Sequence, residues 1–219
     1  MSVTIKYIDA NLKKSSSNLV LFVDENFSIN GLKKILSNNE YNFILDLLKT
    51  KDLKKQILSF DVSSKRKIIL VSLRKGIKNS DVETLGAKFY DLFRELKQIH
   101  YVLNSDSINT KQKIFIGYFL HGIKLKSYNF EKYKTKKNKH NITVFVTGKN
   151  KPSSKEQIKF KAIEEGSYYT RDLVSEPGNV LHPDEYARRI KKLKKYGLKI
   201  KVYDEKKLKK LGMNTLLGV

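Results

Sequence analysis

Hydrophobic and polar positions recur along this chain with two different periods. Val3, Ile5 and Tyr7 alternate with Thr4 and Lys6, which predicts a half-buried strand. Residues 18–23 (NLVLFV) form a short, nearly continuous apolar run, as expected of a strand covered on both faces. Residues 41–49 place Phe43, Ile44, Leu47 and Leu48 at helical spacing, and 56–62 and 67–73 read as two further strands. Ser80 and Glu83 have the spacing of a capping box at the start of a helix. Its apolar positions Val82, Leu85, Phe89, Leu92, Phe93 and Leu96 follow a 3.6-residue period. Then come a short strand over 100–103, a helix over 108–125, and a strand over 141–147 with Ile142, Val144 and Val146 on one face. This alternation predicts a mixed α/β sheet with helices on its faces and some antiparallel pairing at its edges.

Residues 148–154 (GKNKPSS) read as a linker. Ser153 and Glu156 form a second capping box, and the helix behind it runs for about 20 residues to Glu176-Pro177-Gly178. Pro183, with Asp184 and Glu185 behind it, opens another helix, whose last turns are rich in lysine and which Gly197 ends. Leu198, Ile200 and Val202 alternate as a strand would, and Asp204 caps a last short helix through Leu208 and Leu211.

Composition changes this picture in one respect. Across 219 residues there are 45 basic and 22 acidic side chains, a formal net charge of +23. Such a charge attracts polyanions, because neutralising phosphates releases condensed counterions. Yet 39 of the basic residues are Lys and only 6 are Arg, the residue that reads base edges by its bidentate fork. Lysine-rich composition is therefore favoured over a dedicated nucleic-acid surface. The candidate contact residues for DNA or RNA are Lys132, Lys134, Lys136, Lys137 and Lys139, interleaved with Tyr133. The favoured reading of this cluster is a solvated, lysine-rich loop.

The search for chemistry returns mainly exclusions. With no cysteine there is no disulfide, thiolate metal site or thiol nucleophile. No two of His100, His121, His140 and His182 sit at i, i+4, and structural or surface roles are expected for all four, with His182 at a helix cap. Glu164 and Glu165 are adjacent, so on a helix they point about 100° apart and read as a solvated face. Walker, G-x-G-x-x-G and G-x-S-x-G motifs are all missing. No leader-like or membrane-spanning apolar stretch is present, which makes the cytoplasm the default compartment.

Two stretches carry a family resemblance. Residues 117–137 (GYFLHGIKLKSYNFEKYKTKK) resemble the "G…LGxYxFxxYKtkK" segment of cytosol (leucyl) aminopeptidases, and 171–183 (RDLVSEPGNVLHP) resemble their "RDLvNtPaNvltP". Residues 198–213 continue in register with the family's "gl.v.vld" and "eeeL.klGM" segments, and 67–76 (KIILVSLRKG) fit "rvlLvGLGk". Ser175-Glu176 stands where the family has Asn-Thr, and Ser72 and Arg74 replace two glycines.

The resemblance implies a macro-domain-like α/β domain over 1–150, a linker helix and turn over 151–180, and the start of an aminopeptidase catalytic domain over 181–219. It implies peptide substrates, a hexameric assembly, two divalent metals (Mn or Zn) in the full-length family, and DNA binding in some bacterial members. The family's metal ligands lie in segments like "GKGitFDtGG" and "NTDAEGRL", neither of which occurs in these 219 residues. No catalytic residue and no metal ligand is therefore assigned, and the chain reads as a truncated or partial form that is inactive alone. A homo-oligomer or a separate catalytic domain is the expected partner, and Leu211, Met213, Leu216 and Leu217 are expected to be partly exposed.

Overall fold

Six strands form one sheet in the order β1-β6-β5-β2-β4-β3: β1 (Ser2–Tyr7), β2 (Asn18–Asp24), β3 (Ile57–Ser63), β4 (Arg66–Leu73), β5 (His100–Asn104) and β6 (Asn141–Thr147). The structure, a computed structural model, describes residues 2–8, 18–94, 99–107, 114–136 and 141–218. The helices are α1 (Asn38–Leu48), α2 (Asn79–Phe93), α3 (Phe115–Ser127), α4 (Ser154–Ser175), α5 (Pro183–Lys191) and α6 (Glu205–Lys210). The predicted helix positions 108–113, and Leu96, fall outside the described residues.

Link length decides strand direction. The two-residue turn at Ser64-Lys65 folds β3 back antiparallel on β4. All other pairings are parallel, and α2 and α3 form the crossovers from β4 to β5 and from β5 to β6. The antiparallel pairing is thus confined to the β3 edge, and β1, the other edge, runs parallel to β6.

The two-residue strand period sorts side chains into two cores. On one face Val20, Phe22, Ile69, Val71 and Val144 pack under α2 and α3 with Phe89, Phe115 and Phe119. On the other, Leu19, Leu21, Val23, Ile68 and Leu70 pack with Leu32, Ile44 and Phe60. Phe22 meets Phe115 and Phe119 edge-on, at ring-centroid distances of 5.0 and 5.2 Å, a geometry set by the ring quadrupole. Glycine brings α2 and α3 together. A Cβ on Gly86 would lie 2.0 Å from the Phe119 carbonyl oxygen, and one on Gly122 would lie 1.9 Å from that of Glu83.

The caps differ in part from expectation. Ser153 and Glu156 form their box, with the Glu156 carboxylate accepting from Ser153 N at 2.7 Å. The predicted Ser80–Glu83 box does not form. Helix α2 begins two residues earlier, after Lys78, so Ser80 lies inside the first turn and its carbonyl accepts from the Thr84 hydroxyl. An unpredicted box caps α1, where Ser37 and Glu40 bond reciprocally and Arg66 donates to Glu40 at 2.8 Å.

The chain divides into two compact units, residues 1–168 and 169–219. In the second, α5 has Pro183 in its first turn, and the 3-10 turn behind it, Lys192–Tyr196, ends at Gly197 with φ 83°. Asp204 caps α6 by accepting from Lys207 N at 2.8 Å. The strand expected over 198–202 is not formed, since 198–204 carry no regular structure. An alternating pattern makes a strand only beside a ladder partner, and all strands among the described residues belong to the sheet of the first unit. No residue of α5 or α6 is buried. Leu211, Met213 and Leu216 are exposed and Leu217 is half-buried, as expected from the sequence.

Candidate functional site

The face where β1, α3 and the first half of α4 meet holds a cleft of about 410 Å³. Each element contributes one periodic face. Ile5 and Tyr7 come from alternate positions of β1; Gly117, Leu120 and Lys124 lie one turn apart on α3; Gln157, Phe160, Lys161 and Glu164 do so on α4. Gly117 makes the approach possible, because a Cβ there would sit 2.3 Å from the Phe160 ring. That ring packs against Tyr118 and His121 at centroid distances of 5.2 and 5.4 Å. Further along, the Tyr168 hydroxyl donates to the Lys124 carbonyl.

Behind the cleft is a buried polar pair. His121 Nδ1 lies 3.3 Å from Glu164 Oε1, and its Nε2 lies 4.0 Å from Glu83 Oε2. The imidazole is thus set between two carboxylates from different helices. Glu164 is 9% exposed, so the expectation of a solvated Glu164–Glu165 face holds only for Glu165. The inward turn follows from helix phase: Glu164 is one turn beyond the docked Phe160. Burial and the nearby Glu164 charge push the Tyr7 hydroxyl up to about 12, so it remains a neutral hydrogen-bonding group at physiological pH. Lys124 donates to the Val3 carbonyl at 3.0 Å, tying α3 to β1.

None of the other sequence candidates among the described residues lines this cleft. Lys132, Lys134 and Lys136 lie on the exposed segment after α3, with the Lys132 ammonium 5.3 Å from the Tyr133 ring centroid. Lys137 and Lys139, like His140, lie outside the described residues. His100 sits at the start of β5 and packs 6.0 Å from the Phe145 ring, and His182 is the N-cap of α5 without a side-chain capping bond. At the carboxyl ends of β5 and β6, backbone amides that could cradle an anion are taken by the chain itself. Asp106 accepts from Lys149 N at 2.8 Å and Asn150 N at 3.3 Å, and Ser105 Oγ accepts from Asn150 N at 3.1 Å.

In the second unit Glu176 is the organising residue. Its side chain is 2% exposed and accepts from Arg189 at 2.9 Å. Arg188 and Arg189 also both donate to Glu185, whose carboxyl is held down at about 2 by those hydrogen bonds. The departure from the family pattern at Glu176 therefore ties the Pro177 turn to α5.

Residues 168–219 match the catalytic domain of the cytosol aminopeptidase family, a match that begins where the first compact unit ends. A probable cytosol aminopeptidase of Rhizobium meliloti is 32% identical over 163 residues, covering 70% of this chain and 33% of that protein. This chain belongs to the cytosol aminopeptidase family. It spans about a third of the length of that curated relative.

The fold agrees with this membership. A tomato leucine aminopeptidase mutant superposes with a TM-score of 0.73 at 18% identity, covering 96% of this chain and 46% of that one. The bottromycin maturation enzyme BotP, solved in complex with Mn, superposes at 0.63 and 14% identity, covering 90% and 40%. The mixed α/β architecture is thus that of the leucine aminopeptidase N-terminal domain. Among the described residues no group of three or more His, Asp or Glu side chains could hold a metal ion. Nor, among the described residues, is any helix long and apolar enough to cross a membrane.

Proposed function

We propose that these residues are the N-terminal portion of a leucyl-aminopeptidase-type protein of the cytoplasm, whose full-length form removes N-terminal amino acids from peptides with two divalent metals. Residues 1–150 form its α/β domain, 151–180 its linker helix and turn, and 181–219 the start of its catalytic domain. The observation that carries this reading is the continuous match of 168–219 to the family's catalytic domain directly behind an N-terminal domain of the family's fold. The metal would supply a polarised carbonyl and an activated water. This chain's own part is positional: α4 is fixed to the sheet domain through Phe160, Glu164 and Tyr168, and carries the chain on towards the RDL segment at 171–173.

Without the downstream ligands, the 219-residue polypeptide is inactive alone. Purified and supplied with Mn or Zn ions, it is expected to release no p-nitroaniline from leucine p-nitroanilide above the protein-free rate. Turnover that disappears on chelation and returns with metal would refute the proposal.

A further inference from the structure

The cleft beside β1 has a chemistry that the aminopeptidase reading does not use. Its walls are apolar through Ile5, Leu120 and Phe160, yet charged groups of both signs line it: Glu164 and the lysines Lys124 and Lys161. Glu164 is nearly buried, and only its Oε1 makes the contact with His121. Lys124 spends one of its ammonium donors on the Val3 carbonyl and has further donors in hand. Lys161 stands one turn before Glu164 on the same helix face.

A ligand for such a site needs a cation for Glu164, an anion for the lysines and an apolar body between them. A fatty acid would leave the buried carboxylate facing apolar groups, which is unfavourable; a simple amine would make no use of the further donors of Lys124 or of Lys161, whose ammonium otherwise lies 3.8 Å from Glu165. A nucleotide would ask for a cradle of backbone amides, which these side-chain walls do not offer. At about 410 Å³ the volume is near the lower end for small-molecule sites, which favours a compact ligand. We propose that this cleft binds a free apolar α-amino acid, with its ammonium on Glu164, its carboxylate on Lys124 and Lys161, and its side chain against Leu120 and Phe160.

Calorimetric titration of the 219-residue chain tests this with three ligands. L-leucine carries both charges, leucinamide lacks the carboxylate, and 4-methylpentanoate lacks the ammonium. Saturable binding of leucine is expected, with each single-charge analogue at least about tenfold weaker. Glu164→Gln is expected to abolish leucine binding. Because that change also alters the carboxylate beside His121, Lys161→Met, at an exposed position, serves as the variant that keeps the fold; it is expected to weaken leucine by about tenfold. Absence of a saturable heat with leucine, equal binding of 4-methylpentanoate, or unchanged leucine affinity in a folded Lys161→Met protein would each overturn the proposal. The titration involves no catalysis, so its failure would leave the aminopeptidase reading standing, and the reverse holds as well.

Discussion

Gly122→Val is expected to lower the unfolding free energy by about 3 kcal/mol or more, or to prevent folding outright. Even the first carbon of the new side chain would lie 1.9 Å from the Glu83 carbonyl oxygen and 3.1 Å from the Ala87 amide nitrogen. These are backbone atoms of α2, so no rotamer change relieves the contact. The helices would have to separate, and both belong to the layer that covers Phe22, Ile69 and Val71. The neighbouring glycine closes the alternative of sliding, since Gly86 makes the reciprocal contact with the Phe119 carbonyl. Urea unfolding followed by circular dichroism reads the effect as a fall in midpoint at unchanged slope. A loss below about 1 kcal/mol would show that α2 and α3 do not approach this closely.

The second large effect concerns the two units. Amide hydrogens of β2 and β4 are expected to exchange about a thousandfold or more slowly than those of α5 and α6. Val20, Leu21, Phe22, Ile68, Ile69, Leu70 and Val71 are all fully buried, so their amides open only when the sheet does. In contrast α5 and α6 bury no residue, and Tyr196, Leu198, Leu211, Met213 and Leu216 of the second unit are exposed. Helices this short gain little stability without a packed face. Hydrogen exchange with mass spectrometry separates the segments, and equal protection of 183–210 and the central strands would contradict the expectation.

Much of the fold was legible because strand and helix periods are local properties. Val20 and Phe22 against Leu19 and Leu21 already divide β2 between two cores, and Pro183 and Gly197 mark turn and cap by their own backbone preferences. The strand expected over 198–202 shows where local reading stops, because pairing depends on a partner that the pattern does not contain. The capping box at Ser80 failed for a related reason: the helix start lies two residues earlier, with Lys78 as the cap, and a box tolerates no shift. The site was less visible still. His121 and Glu164 are 43 positions apart, and adjacency to Glu165 suggested a solvated face. A signal was available in the repeated spacing, since Gly117 precedes His121 by four residues just as Phe160 precedes Glu164. Only docking of α4 on α3 makes that matched spacing meaningful.

The most direct test of the family reading joins these 219 residues to the remaining, downstream part of the Rhizobium meliloti relative and measures metal-dependent hydrolysis of leucine p-nitroanilide beside the unjoined chain. The account predicts hydrolysis by the folded, metal-loaded fusion and none by the 219 residues alone. Metal-dependent hydrolysis by the unjoined chain at a rate comparable to the fusion would contradict it.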